Sequence, residues 1–127
     1  MATDVEHTEA FEQWWNSLDH DAQDSVRLVA KLLRELGTKL GDPYSSQIRS
    51  SRHGRMRELR IKHRGHPFRV LYAFDPRRVA VLLFGGDKTS KGDRWYEKAV
   101  PAADRLYDEH LAALEDKKSE RVKLHKR

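Results

Sequence analysis

The side chains best suited to chemistry in this sequence are cations and aromatic rings between residues 56 and 96. Cations neutralise the phosphates of a nucleic acid, and aromatic rings stack on unpaired bases. Arg69 interrupts a run of apolar residues, where an arginine needs an ion-pair partner or a ligand. The pattern therefore predicts a site for a polyanion. Its candidate residues are Arg60, Lys62, Arg69, Lys88 and Tyr96.

The charge of the chain is unevenly distributed. The net charge is +5, but residues 42–96 contain thirteen Lys or Arg against five Asp or Glu. The flanking segments are acidic, with four against eight in residues 1–41 and two against six in residues 97–116. A basic sheet between acidic helices indicates a surface that binds a polyanion.

Metal and nucleotide sites of the common kinds are not indicated. The sequence has no cysteine, and its seven histidines lack metal-binding spacing. No phosphate-binding glycine motif is present either, so we expect neither a metal nor a cofactor. A histidine of the basic segment, His53, His63 or His66, is an alternative general acid or base, although surface-loop histidines are commoner.

The length of 127 residues predicts one domain. The acidic N-terminus lacks the apolar run of a signal peptide, and no apolar run is long enough to span a membrane. The absence of cysteine is compatible with a reducing compartment, so we expect a cytoplasmic protein.

Two helices are predicted near the N-terminus. Thr8 can cap the first, whose apolar residues recur at helical spacing over residues 11–18. Asp19 or Asp21 can cap the second, and Gly37 suits its C-terminal end. The short spacer between them predicts an antiparallel helical hairpin.

A small sheet is predicted after the hairpin. Its strands are residues 57–62, 68–74 and 79–84. Short turns join them, which indicates an antiparallel meander, and residues 4–7 can add a short strand. We expect Gly85 and Gly86 to end the third strand. Residues 38–55 are predicted to be a long irregular connection, of the kind that is often functional.

A C-terminal helix completes an α+β domain. Asp93 can cap it, Pro101 either kinks it or starts a new helix, and the pattern ends at about Glu115. We expect residues 1–116 to form the domain. Residues 117–127 are predicted to be a basic tail that contributes non-specific affinity for RNA.

Several of these runs resemble the HigB-like toxins of the RelE/ParE superfamily, in their phage-derived branch. The runs are ELRI at 58–61, FRVLYAF at 68–74, VLLFGGDK at 81–88 and the Tyr-Glu pair at 96–97. The resemblance implies a RelE-like fold and the toxin of a type II toxin–antitoxin pair. It also implies a metal-independent endoribonuclease that cuts mRNA on ribosomes by attack of a 2′-hydroxyl on the adjacent phosphodiester.

The resemblance assigns roles residue by residue. Arg69 matches a phosphate-binding arginine, Lys88 the basic residue that ends the third strand, and Tyr96 the tyrosine after it. Arg60 matches one of two basic residues of the first strand. The other is replaced here by Glu58, and Lys62 is the nearest substitute. The general base is therefore left open between Lys62, Tyr96 and a nearby histidine.

Two alternatives remain at this point. ParE-like toxins inhibit DNA gyrase by binding, although they generally lack the full set of cations and tyrosine. A non-catalytic RNA- or ribosome-binding module would need the same cations. In either toxin reading the partner implied is an antitoxin, for HigB usually a helix-turn-helix protein, and no membrane partner is implied.

Overall fold

A five-stranded mixed sheet runs through the middle of the molecule, with helices on both faces. The computed structural model describes residues 2–125, with residues 120–125 described as helical backbone alone. The elements are β1 (Val5–His7), α1 (Glu9–Ser17), α2 (His20–Leu36), β2 (Ser45–Gln47), β3 (Arg57–His63), β4 (His66–Phe74), β5 (Ala80–Asp87) and α3 (Trp95–His125). The predicted α+β class is confirmed.

The helical hairpin begins and ends where the sequence predicts. Thr8 Oγ1 accepts a hydrogen bond from the Phe11 backbone N–H at 3.1 Å, and Asp19 Oδ1 accepts one from Ala22 at 2.8 Å. Both side chains satisfy N–H groups that a helix leaves unpaired. Gly37, with φ of 56°, ends α2. The hairpin covers one sheet face, which we call the hairpin face.

The sheet order is β1-β5-β4-β3-β2. Strands β3, β4 and β5 form the predicted antiparallel meander, and β1 adds to β5 in parallel. Strand β2 pairs antiparallel with β3 and lies inside the segment predicted to be irregular. Three residues rich in serine carry no strand periodicity, so only the pairing with β3 reveals this strand.

The prediction that Gly85 and Gly86 end the third strand is wrong, because β5 continues through both to Asp87. The two glycines admit two tryptophans. Trp14 of α1 packs on Gly85, and Trp95 of α3 packs on Gly86 from the other face. A Cβ on Gly86 would lie 2.7 Å from Trp95 Nε1. Glycine within a strand commonly marks such a close approach.

Helix α3 covers the second sheet face, here called the α3 face, and is longer than predicted. It runs through Pro101 without a second start and continues past Glu115 to His125. The sequence after Glu115 has no glycine or proline and is rich in good helix formers, so nothing in it stops the helix. Within the described residues, no helix is long and apolar enough to cross a membrane.

Substituting Gly85 by alanine should lower the free energy of unfolding by about 1–3 kcal/mol, because the new methyl group overlaps the Trp14 ring. Gly41→Ala is the matched control, since nothing lies within 4 Å of a Cβ at that position. Urea denaturation of both variants measures the difference. Equal stability of the Gly85 and Gly41 variants would contradict the packing described here.

Candidate active site

The candidate residues lie on the α3 face of the sheet. Arg60, Arg69 and Gly86 are directly opposite one another on β3, β4 and β5, so the two arginines share this face. Helix α3 begins over Gly86 and packs its apolar side on the region around Leu71 and Leu83. The face beyond it, toward the β3–β4 turn, is left open.

Arg69 lies buried under the start of α3, with 8% of its surface exposed. Its Nε donates to the hydroxyl of Tyr96 at 3.2 Å and lies 3.4 Å from Glu58 Oε1. Its Nη1 donates to the backbone carbonyl of Phe68 at 2.9 Å. The partner that an arginine in this apolar run requires is therefore Glu58.

Glu58 is the central residue that sequence reasoning set aside as a departure from the family pattern. It is 7% exposed. Its Oε1 accepts a hydrogen bond from the Tyr96 hydroxyl at 2.6 Å, and its Oε2 accepts one from Ser46 Oγ at 2.8 Å. The available signal was its position two residues before Arg60, on the strand face that carries the cations.

Tyr96 and Lys88 complete the cluster. The Lys88 ammonium lies 4.9 Å from the centre of the Tyr96 ring and 3.0 Å from Asp93 Oδ1. Burial, together with the hydrogen bond and the charge of Glu58, raises the pKa of Tyr96 to about 12 against the opposing effect of Arg69. The Tyr96 hydroxyl therefore stays protonated at neutral pH.

Arg60 and Lys62 lie beside this cluster on β3 and are both exposed. Arg60 is the cross-strand neighbour of Arg69, and like charges at directly opposite positions repel each other. An anion bound between them would relieve that repulsion. Lys62 lies opposite Pro67, nearer the β3–β4 turn. The structure thus brings Arg69, Lys88 and Tyr96 into contact and leaves the other two on the open face.

The three histidines of the basic segment are bound elsewhere. His53 Nε2 lies 2.9 Å from Asp108 Oδ1, and His63 Nδ1 lies 2.7 Å from Ser25 Oγ. His66 Nδ1 lies 2.9 Å from Asp87 Oδ2. None of them contacts the Arg69 cluster. Among the described residues, no group of three or more His, Asp or Glu side chains could hold a metal ion.

Comparisons with known proteins give a family match and two similar proteins of one organism. Residues 13–108 match the family described as phage derived protein Gp49-like (DUF891). A Mycobacterium tuberculosis protein named "Putative toxin HigB2" is 40% identical over 121 residues, which are 94% of this chain but 59% of that protein. This chain therefore spans less than two thirds of that relative's length. A second protein of the same organism, named "Putative toxin HigB3", is 40% identical over 102 residues, 80% of this chain and 88% of that protein.

A solved structure shares the fold. It is E. coli toxin RelE in the free state, in a mutant with two arginines changed to alanine. The TM-score is 0.56 at 17% identity, covering 80% of this chain and 97% of that one. This likeness confirms the RelE-like fold that the family resemblance implies.

Replacing Glu58 by glutamine should lower the pKa of Tyr96 from about 12 without restoring the ordinary value, because burial remains. The raised pKa also means that stability falls as the pH rises from about 10, where an unfolded tyrosine ionises, to about 12. An NMR titration of the tyrosine rings, with Tyr96→Phe for assignment, measures the pKa, and urea denaturation across this pH range measures the stability. An unchanged Tyr96 pKa in the glutamine variant would contradict the 2.6 Å contact.

Proposed function

Since the chain belongs to the phage-derived Gp49-like family and is a HigB-like toxin of the RelE superfamily, we propose that it cleaves mRNA as a metal-independent endoribonuclease. The reaction is attack of a ribose 2′-hydroxyl on the adjacent phosphodiester, on translating ribosomes. One observation carries the proposal. A buried carboxylate, a protonated phenol and a buried guanidinium are hydrogen-bonded together beneath exposed cations.

Glu58 is the proposed proton acceptor. A general base must lie within hydrogen-bond reach of the proton that it takes, and the Glu58 carboxylate accepts the hydrogen bond of the Tyr96 hydroxyl, whereas Lys62 lies opposite Pro67 nearer the β3–β4 turn. The Tyr96 hydroxyl donates to Glu58 Oε1, so in the proposed relay the 2′-hydroxyl gives its proton to Tyr96 Oη while Tyr96 passes its own to Glu58 Oε1. Tyr96 therefore never becomes a free phenolate, in keeping with its raised pKa.

The cations act on the phosphate. As the bond from the 2′-oxygen to phosphorus forms, negative charge grows on the phosphoryl oxygens, and Arg69 with Arg60 offsets it. Arg69 Nη2 makes no hydrogen bond to any described residue and can bind such an oxygen. The Lys88 ammonium donates a proton to the leaving 5′-oxygen as its bond to phosphorus breaks. Lys62 binds a neighbouring phosphate.

A cognate antitoxin is the proposed protein partner, and for a HigB-like toxin we expect a helix-turn-helix protein. The basic α3 face offers an acidic antitoxin segment the same cations that RNA would use. Binding there would block the substrate directly. The basic tail at residues 117–127 is proposed to add affinity for RNA, and the part of it that is described continues helix α3.

Tyr96→Phe should lower the cleavage rate by about 10²–10³ and leave the fold intact, because it removes the proton relay and keeps the ring. Tyr44→Phe is the control, since Tyr44 is 42% exposed and outside the cluster. Lys88→Gln should give a comparable loss. These variants test the site better than Arg69→Ala, which leaves the buried Glu58 carboxylate without its ion pair.

Cleavage is read from RNA fragments in a translating extract, with a 2′-deoxy substitution at the cut site as the chemical control. Growth arrest without RNA fragments would refute the proposed nuclease activity and favour gyrase inhibition or non-catalytic ribosome binding. Full cleavage by folded Tyr96→Phe and Lys88→Gln proteins would show that the chemistry occurs elsewhere.

Chelation should leave the reaction intact. None of the proposed steps uses a metal ion, so cleavage of a free RNA by the purified protein is expected to continue at the same rate in excess EDTA. The ribosome-free assay matters, because ribosomes themselves need magnesium. Loss of activity that only a divalent ion restored would count decisively against the proposed mechanism.

A further inference from the structure

A second basic cleft lies on the hairpin face, where α2 ends and the sheet is uncovered. Its cavity is about 470 Å³ in volume. Three arginines line it: Arg57 from β3, Arg55 from the preceding loop and Arg78 from the β4–β5 turn. Part of the rim comes from residues 38–55, the segment whose sequence predicts a long irregular connection. No step proposed above uses this cleft.

Arg57 is held in place by a buried pair of hydroxyls. Its Nε donates to Ser45 Oγ at 3.0 Å, and Ser45 Oγ is 2.7 Å from the hydroxyl of Tyr72. Ser45 and Tyr72 are both buried. This anchor fixes one edge of the guanidinium, and its two terminal nitrogens make no hydrogen bond to the described residues. An arginine fixed in this way loses little freedom when it binds a ligand.

The other two arginines also lack an anionic partner within the described part of the chain. The cleft contains one carboxylate, Asp75, which is 4% exposed. Asp75 already accepts hydrogen bonds from the backbone N–H groups of Arg77 and Val79, from the Arg77 side chain and from His110 Nε2. These bonds outweigh burial and lower the pKa of Asp75. Asp75 forms its arginine ion pair with Arg77, and no salt bridge joins it to Arg55, Arg57 or Arg78 in the described part of the chain.

We propose that this cleft binds a nucleotide of an RNA chain, with the arginines on its phosphate and Phe74 forming an aromatic wall for its base. A guanidinium group can donate two parallel hydrogen bonds to two oxygens of one phosphate, and aromatic rings stack on unpaired bases. The cleft and Arg69 lie on opposite faces of the sheet, so the bound nucleotide is not the one that is cut. The choice of RNA as ligand rests on the proposed function, whereas the anion site does not.

Binding of a short 2′-O-methyl RNA tests the proposal, because such an RNA cannot be cleaved and affinity is read without turnover. The test variant combines Arg55→Gln with Arg78→Asn, since asparagine tolerates the positive φ of 65° at position 78. The control removes two exposed charges from α3, by Lys98→Gln and Arg105→Gln. Each lost phosphate contact should weaken binding about 5-fold at about 0.1 M salt and reduce the salt slope by about 0.7.

The double variant should therefore bind about 25-fold more weakly at that salt, while the control changes less than about 3-fold. Cleavage of a normal RNA at saturating concentration should be unchanged, which separates this site from the proposed active site. Equal losses in the double variant and the control would overturn the proposal. The proposal would also be overturned if free adenosine monophosphate or a polyglutamate peptide bound more tightly than the RNA and the double variant abolished that binding. Those two results would assign the cleft to a free nucleotide or to an acidic protein segment.

Discussion

Arg69 and Glu58 place two opposite charges under the start of helix α3, where each is less than 10% exposed. Removing such groups from water costs on the order of several kcal/mol for each ion, so the pair persists only if hydrogen bonds satisfy both. Tyr96, Ser46 and the carbonyl of Phe68 supply those bonds. They come from α3, β2 and β4, so the charged cluster exists only when all of these elements have assembled on β3.

The glycine pair of β5 sets where the helix can begin. Trp95 packs so closely on Gly86 that a Cβ at position 86 would overlap the indole ring. Tyr96 is the next residue along the helix. The ring centres of Trp95 and Tyr96 are 5.2 Å apart. The contact between Trp95 and the sheet therefore helps to position the Tyr96 hydroxyl against Glu58. Trp14 packs on Gly85 in the same close way, so the helices on both faces of the sheet are positioned by adjacent residues of β5.

Features that depend on neighbouring residues were predictable from the sequence, and features that depend on distant ones were not. The caps at Thr8 and Asp19 are local, and the alternation of β3 correctly grouped Arg60 and Lys62 on one face. Gly85 and Gly86 look like a strand end because a sequence does not show the tryptophans that approach them. The family resemblance assigned roles to the cations, whereas the contacts of Glu58 depend on Arg69 and Tyr96, which are 11 and 38 residues away.

Both borders of the sheet are three residues long, β1 on one side and β2 on the other. Unpaired N–H and C=O groups at a sheet border invite pairing with another chain, and short border strands are one way in which proteins limit such pairing. Each of these two border strands offers an approaching strand only three residues of backbone. Extension of the sheet by pairing of a second chain is therefore disfavoured at these two border strands.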